Sequence, residues 1–272
     1  MTLDEALTQL HQLPAIPAVV QEVVASFSQP NVDIDKLAGK IGQDQALTAK
    51  ILRVSNSSFY GFPRKIASLH DAVVIMGFAG VRSLVLSTGL IHAFEQASGG
   101  TLNRAEYWKR SLRVATYAKA VASCLKQSPE IAFTAGLLHD IGQLVLDTCL
   151  PAQYQQVIDK AQAENCDLLT AEAAVLGFQH DALGAEVARR WNFPTVIEQA
   201  IRDCHSLDMR ALEPISTVVC LAVRLEQGEL PATLFTQISV ENQKLLGPEA
   251  SRLIPMLPDE EKLEAAAASL LG

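Results

Sequence analysis

The sequence predicts an all-α fold. Hydrophobic residues make up 49% of its 272 residues, whereas aromatic residues make up only 6%. The core must therefore be built mainly from Leu, Ile, Val and Ala, and small or straight-chain aliphatic residues favour helices. Short β-branched runs between Gly and Pro residues, which a sandwich or barrel requires, do not recur.

Helical spacing of apolar residues begins near the N-terminus. One face of the first predicted helix carries leucines, and two prolines then end that helix and begin another. These residues are Leu3, Leu7, Leu10, Leu13, Pro14 and Pro17. Asp44 is the predicted N-cap of a later helix, because a short carboxylate before an apolar repeat satisfies free backbone N–H groups. The repeat that follows should lie in the core, and it consists of Leu47, Ile51 and Val54.

The stretch 72–90 is almost uncharged and is long enough to span a bilayer. Arg82 would then lie near the centre of the membrane, at a cost of roughly 2.5–3.5 kcal/mol. Gly77 and Gly80 also interrupt the stretch where one short helix can end and another begin. We therefore predict two buried helices here instead of a membrane span.

Small residues at positions 97–100 mark a predicted junction between two helical subdomains, near Gly99-Gly100. The predicted units are residues 1–98, residues 101–227 and a C-terminal helical extension over 228–272. In the second unit, Ser128-Pro129-Glu130 should begin a helix with a cap, a proline and an acid. The other predicted helices cover Tyr107–Leu125, 151–164, 168–176, 180–191, 194–205 and 211–227. Predicted core residues of this half are Leu137, Leu138 and Ile141.

Charge and cysteine content limit the classes of function. The formal net charge of −8 at pH 7 argues against dedicated nucleic-acid binding, which needs a basic face. The five cysteines have no C-x-x-C spacing and look like reduced thiols. The N-terminus has neither the basic start nor the apolar stretch of a signal peptide. These features predict a cytoplasmic protein with no membrane association.

The adjacent pair His139-Asp140 is the sharpest candidate for chemistry. The pair is predicted to lie inside an apolar helix, where a buried carboxylate needs a metal, a cation or hydrogen bonds. Imidazole nitrogen and carboxylate oxygen are both common ligands of divalent metals. His180 and His205, on later predicted helices, can converge on the same pocket. The alternative is a partly buried histidine beside an aspartate that bonds to a helix end.

The residues around this pair resemble the HD superfamily of metal-dependent phosphohydrolases, through the stretch Phe133-x-x-Gly136-Leu137-Leu138-His139-Asp140-Ile141-Gly142. Further motifs narrow the resemblance to the HDOD family. Those of the first half are Leu13-Pro14-x-Ile16-Pro17, Asp44-x-x-Leu47-Thr48-x-Lys50-Ile51-Leu52-Arg53, Val54-Ser55-Asn56-Ser57, Phe59-Tyr60-Gly61 and Met76-Gly77. Those of the second half are Tyr107-Trp108-x-x-Ser111, Leu176-Gly177-x-x-His180, Gly184-x-x-Val187, Trp191-x-x-Pro194 and His205.

The resemblance implies an N-terminal helical subdomain packed on an HD-like helical subdomain, in a protein of bacterial signalling. HD enzymes hold metal through a first His, the His-Asp pair and a final Asp. In this sequence Arg110 stands at the first-His position and Val223 at the final-Asp position. A guanidinium has no lone pair for a metal and a valine offers no ligand. The expected site is therefore vestigial, with no catalytic residue and no bound metal. If one divalent ion does bind, its expected ligands are His139, Asp140, His180 and His205.

Three functions stay open from the sequence. The leading hypothesis is a non-catalytic signalling module that acts through an unidentified partner protein. The second is a metal-dependent phosphohydrolase or phosphodiesterase that acts on a nucleotide or a phosphorylated second messenger. The third is a sensor that binds a nucleotide in the vestigial pocket without turning it over. We also predict that Arg110 contacts Asp140, because a buried carboxylate without a partner would cost several kcal/mol.

Overall fold

The computed structural model describes residues 1–10, 13–28, 34–57, 60–95, 100–229, 231–244, 257 and 259–271. Within these ranges the elements are helices, apart from an isolated parallel bridge between Met209 and Ile238. The predicted all-α fold is therefore confirmed.

The helices before residue 100 are α1 (Leu3–Thr8), α2 (Ala18–Ala25), α3 (Ile34–Ile41), α4 (Gln45–Ser55) and α5 (Leu69–Glu95). α1 begins at a capping box, in which Thr2 Oγ1 accepts from the Glu5 N–H and the Glu5 carboxylate accepts from the Thr2 N–H. α4 begins at the predicted cap, since Asp44 Oδ1 accepts from the Leu47 N–H at 2.9 Å. Local capping chemistry thus sets where both helices begin.

The helices of the second half that surround the predicted pocket are α6 (Arg104–Cys124), α7 (Pro129–Leu138), α8 (Ile141–Cys149), α9 (Pro151–Glu164), α10 (Leu168–Val175), α11 (His180–Arg190), α12 (Thr195–Asp203) and α13 (Pro214–Glu226). The C-terminal elements are α14 (Pro231–Leu234), a 3-10 turn (Phe235–Gln237) and α15 (Glu260–Leu271). α7 begins at the predicted Ser128 cap, with Pro129 in its first turn. α12 ends earlier than predicted, so His205 follows that helix instead of lying in it.

The core contains every residue that the helical spacing placed there. Those residues, each at most 6% exposed, are Leu47, Ile51, Val54, Leu137, Leu138 and Ile141. α6 packs along α7 and α13, while α11 packs on α8 and α12. α5 joins the N-terminal helices to this group through its contact with α7. The helices that carry the pocket residues are therefore held in one apolar core.

α5 differs from the prediction of two buried helices. Gly77 interrupts it with non-helical backbone at φ 74° and ψ 162°, so the predicted break is present at Gly77. Residues after the break are buried from Val81 to Phe94 except for a few polar or half-exposed positions, but the part before it is half exposed. Leu69–Phe94 is long and apolar enough to cross a membrane, and 56% of its most apolar window is buried within the protein. α5 is therefore a core helix that the rest of the protein covers on one face only.

The segment after residue 99 is fixed by a buried carboxylate. Asp147 Oδ1, on α8, accepts the backbone N–H groups of Thr101 at 2.6 Å and Leu102 at 2.9 Å. Gly100 has φ 87°, and a Cβ on it would lie 2.0 Å from Asp147 Oδ2. Only glycine fits this approach without displacement. Gly99 lies outside the described residues, and the division into units at 98 and 101 stays a prediction.

Candidate functional site

The His139-Asp140 pair lies between two helices, so the expectation that it lies inside one helix is wrong. α7 ends at Leu138 and α8 begins at Ile141, with Asp140 as the N-cap residue at φ −104° and ψ 17°. The Asp140 side chain makes no cap hydrogen bond. Its carboxylate is therefore available to groups from other helices. A position in the middle of one helix would restrict that access.

Four side chains surround the Asp140 carboxylate, which is 1% exposed. Its Oδ2 atom lies 3.1 Å from Arg110 Nη2 and 3.2 Å from His139 Nε2. Its Oδ1 atom lies 2.9 Å from His205 Nε2 and 3.2 Å from His180 Nε2. The predicted contact between Arg110 and Asp140 is present, and both distant histidines reach the same carboxylate.

His180 is held between two carboxylates. Its Nδ1 atom lies 2.9 and 2.8 Å from the two oxygens of Glu172, which is fully buried, and Glu172 Oε2 also accepts the backbone N–H of His180 at 2.8 Å. A carboxylate on Nδ1 fixes the ring so that Nε2 points at Asp140. Burial lowers the pKa of His180, but its bonds to Asp140 and Glu172 outweigh burial and raise it to about 10. His180 is therefore an imidazolium at neutral pH.

Asp140 is correspondingly a carboxylate. Burial raises its pKa, but the neighbouring His139, His180 and His205 outweigh burial and hold the pKa well below its ordinary value. A buried negative charge is stable here because Arg110 and the imidazolium of His180 both face it.

His139 is oriented by the backbone of α7. Its Nδ1 atom lies 2.8 Å from the Gly136 carbonyl oxygen, so Nδ1 carries the proton that this oxygen accepts. Its Nε2 atom is buried and, although it lies 3.2 Å from Asp140 Oδ2, it meets no hydrogen-bond geometry within the described part of the chain. A carbonyl oxygen that holds one ring nitrogen while the other nitrogen stays open is the arrangement typical of a metal-ligating imidazole. The His139 ring is therefore oriented as a metal-ligating imidazole would be.

Three potential ligand atoms form a close triangle, at distances of 3.2, 2.9 and 3.1 Å. They are Asp140 Oδ1, His180 Nε2 and His205 Nε2. Atoms bound to one ion at about 2.1 Å lie roughly 3 Å apart in octahedral geometry. The same spacing serves hydrogen bonds between these groups without an ion. The triangle is compatible with either state.

The complete HD metal set does not fit these residues. Arg110 places its positive charge on the Asp140 oxygen nearest to His139, where a cation would compete for the same site. Val223, on α13, is 1% exposed and has no ligand atom. Cys204 Sγ lies near Asp140 and His205, all within 4.8 Å, but burial raises its pKa well above the ordinary value and keeps it a thiol. The site therefore lacks two of the four ligands that the resemblance to HD enzymes implies.

Arg110 is anchored on both sides of its guanidinium. Its Nε atom lies 3.5 Å from Glu226 Oε2, at the end of α13, and its side chain is 35% exposed. Arg113, one turn further along α6, contacts the other oxygen of Glu226 at 2.9 Å and Glu260 of α15 at 2.7 Å. The C-terminal helix thereby joins the ion-pair chain that ends at Asp140.

Sequence reasoning missed Glu172, although a signal for it exists. Glu172 is the one charged residue between Leu168 and Gln179, in an otherwise uncharged helix and loop. A lone acid in such a run needs a buried partner, by the same argument that singled out Asp140. It also missed Gln143, whose Nε2 lies 3.4 Å from His180 Nε2 and whose Oε1 accepts from Tyr154 at 3.4 Å.

A cleft of about 690 Å³ reaches the pocket from the side of His205 and Val223. Its charged lining residues are Asp167, Asp181, Asp203, Glu229, Arg202 and Arg224. Arg224 is already bonded to the carbonyl oxygen of Ser206 at 3.2 Å. The cleft therefore offers more negative than positive charge to anything that enters it.

Comparison with known proteins identifies the class to which this fold and pocket belong. The HDOD domain family matches residues 13–207, which is most of the chain. The protein belongs to the HDOD family.

Solved structures with the same fold span nearly all of the chain. An HDOD domain protein of unknown function from Geobacter sulfurreducens is 23% identical, with a TM-score of 0.76 over 97% of this chain and 99% of that one. A “Putative phosphohydrolase” from Shewanella amazonensis SB2B is 24% identical, with a TM-score of 0.78 over 97% of both chains. At these identities the likeness shows the fold alone.

One curated relative is an uncharacterized protein of Treponema pallidum (strain Nichols). It is 23% identical over 257 residues, which are 90% of this chain and 50% of the relative. The chain thus spans about half the length of the curated relative it matches.

Proposed function

We propose that this protein is a non-catalytic signalling module of bacteria, in which an arginine takes the place of a metal ion in a former HD site. Membership of the HDOD family supports an HD-related module. The observation that carries the proposal is the 3.1 Å contact between Arg110 Nη2 and Asp140 Oδ2. A fixed guanidinium neutralises the carboxylate, but it is not a Lewis acid, so it cannot coordinate a water and lower the pKa of that water as a metal does.

The helices support the same proposal, because they hold an intact polar cluster without a complete ligand set. Glu172 fixes His180, and the Gly136 carbonyl fixes His139. A cluster of this kind stabilises the helix junction as a set of paired charges, with no reaction required. The output of such a module would be a contact with a partner protein. We place it in the cytoplasm, in keeping with its five cysteines, none of which forms a disulfide among the residues that the structure describes.

Restoring the ligand set gives the sharpest test. Elemental analysis of the purified wild-type protein should find well below one divalent ion per chain, and a broad screen of phosphomonoesters and phosphodiesters should find no turnover. The double variant Arg110→His and Val223→Asp should bind a divalent ion, which shows that the assay detects a site in this fold. Stoichiometric metal in the wild-type protein together with metal-dependent hydrolysis would overturn the proposal.

A metal-dependent phosphohydrolase is the second candidate. The observation that favours it is the triangle of Asp140 Oδ1, His180 Nε2 and His205 Nε2, whose spacing suits ligands of one ion. In that case the Nε2 nitrogen of His139 supplies a fourth ligand, and Arg110 would have to leave the carboxylate. Replacement of His205 by Gln would then abolish both metal binding and turnover, whereas the signalling proposal expects only a change in stability.

Binding of a nucleotide without turnover is less well supported. Nucleotide phosphates favour basic pockets or helix N-termini, whereas the cleft beside His205 is lined by four carboxylates and two guanidinium groups. A thermal-shift screen with mono- and dinucleotides tests this directly, since a ligand that binds only the folded protein raises its melting temperature.

A further inference from the structure

The half-exposed beginning of α5 is an apolar surface that the polar pocket does not use. No charged residue occurs between Asp71 and Arg82, a run of residues 72–81. Val74 is 66% exposed, which is high for a large aliphatic side chain. Val73, Ile75, Met76 and Phe78 are each only partly buried. We call residues 73–80 together with Arg82 the α5 surface.

Arg82 lies at the end of this surface in an unusual environment. Its guanidinium carbon lies 3.8 Å from the centre of the Phe27 ring and 5.6 Å from that of Phe78. Its Nε atom is buried and has no hydrogen-bond partner in the part of the chain that the structure describes. The neighbouring cavity is lined by apolar side chains of α2, α3 and α5, including Val23, Ile41 and Val73. Ring stacking therefore fixes the position of a guanidinium whose Nε donor has no partner among the described residues.

Charge balance around Arg82 is incomplete. Among the described residues no carboxylate lies within ion-pair distance of it, and Glu130 acts on it only through space. Glu130 itself contacts Lys119 at 3.9 Å. The other described arginines whose side chains are similarly buried, such as Arg113, each have a carboxylate partner. A half-buried, unpaired guanidinium is costly unless an acid arrives from outside.

We propose that the α5 surface docks a segment of a partner protein that presents aliphatic side chains and one carboxylate, with that carboxylate paired to Arg82. The apolar residues 73–80 provide the area that excludes water, and Arg82 provides a planar pair of donors suited to a carboxylate. Arginine beside aromatic rings in an apolar environment is typical of the residues that dominate the free energy of protein–protein binding. The inference rests on the proposed signalling function, for which it names the contact surface.

Selection of peptides by the full-length protein tests the proposal. A random peptide display library is panned on the wild-type chain, and enriched peptides are measured by fluorescence polarisation. They should share an acid within an apolar pattern. Arg82→Gln should weaken their binding by roughly tenfold or more, as expected for loss of a charge-assisted hydrogen bond. Val74→Ser should weaken it as well, while the exposed and distant Arg189→Gln serves as the matched control.

A double-mutant cycle locates the acid. Changing the shared peptide acid to its amide should weaken binding to wild type but not to Arg82→Gln. Val74→Ser and the peptide change still decide the question if Arg82→Gln fails to fold, which circular dichroism will show.

Four outcomes would overturn the docking surface. They are the absence of enriched peptides, peptides without a common acid, binding that both α5 variants leave unchanged, and α5-dependent binding to phosphatidylglycerol vesicles or to a second copy of the chain in place of peptides. None of them bears on metal content or hydrolysis, so failure here is distinct from failure of the signalling proposal.

Discussion

The pairing of Arg110 with Asp140 should be measurable as a coupling free energy. Arg110→Ala removes one of four groups that face the carboxylate, and the imidazolium of His180 remains. Asp140→Ala instead leaves Arg110 and His180 without the carboxylate between them. The first change should therefore cost less than the second.

The structure sets the size of each effect. Arg110 is 35% exposed, so solvent screens part of its attraction, and its loss should lower the free energy of unfolding by about 1–2 kcal/mol. Asp140 is 1% exposed, and its removal from a buried charged cluster should cost about 3–5 kcal/mol. The double variant should lose less free energy of unfolding than the two single variants lose in sum, and the difference, which is the coupling free energy, should be about 1 kcal/mol.

Urea unfolding followed by circular dichroism measures all four proteins of the cycle. Arg113→Ala provides the matched control, because Arg113 lies on the same helix and binds Glu226 without contacting Asp140. Its cycle with Asp140→Ala should give a smaller coupling, because Arg113 is linked to Asp140 only through Glu226 and Arg110. If the Arg110 cycle gives no more coupling than the Arg113 cycle, the arginine does not stand in for an ion, whatever the distance between the side chains.

Three further predictions concern stability. Since the pKa of His180 is raised to about 10, its stabilisation should be complete below about pH 6.5 and decline as the pH rises towards 10, in urea titrations, and His180→Gln should flatten that decline. Gly100→Ala should lower the melting temperature more than Gly228→Ala, because both have positive φ but only at Gly100 does the new Cβ meet Asp147. Ser128→Ala should cost about 1 kcal/mol through loss of the α7 cap, and an unchanged denaturation midpoint would contradict this.

Opposite results have clear meanings for the first two of these predictions. A stability profile that is flat between pH 6.5 and 10 would mean that His180 is neutral in the folded protein. Equal losses for the two glycine variants would mean that backbone strain, and not the approach of Asp147, requires glycine at position 100.

Helical spacing and capping chemistry were sufficient to place most helices. The Ser128 cap and the Asp44 cap are where the sequence predicts them, because N-capping depends on neighbouring residues only. The burial of α5 could not be read in the same way. An apolar stretch shows that a helix can be buried, but which turns are covered depends on distant helices such as α2 and α7.

The pocket was predictable in part. His180 and His205 reach Asp140 beside His139, which the sequence analysis gave as a possibility, and Arg110 contacts Asp140 as predicted from charge compensation. The break between α7 and α8 was not predicted, because uninterrupted apolar residues on both sides of the pair hide it.

The backbone contact where α8 and α11 cross fixes the geometry of the pocket independently of the side chains at positions 110 and 223. A Cβ on Gly142 would lie 1.8 Å from the His180 carbonyl oxygen, and one on Gly184 would lie 3.1 Å from the Gly142 nitrogen. Main chain thus touches main chain where these helices cross, and this contact sets the position from which His180 projects. Side chains at 110 and 223 belong to other helices and take no part in it. The side chains at those two positions can therefore differ in charge and in ligand atoms without altering the backbone contact that positions His180.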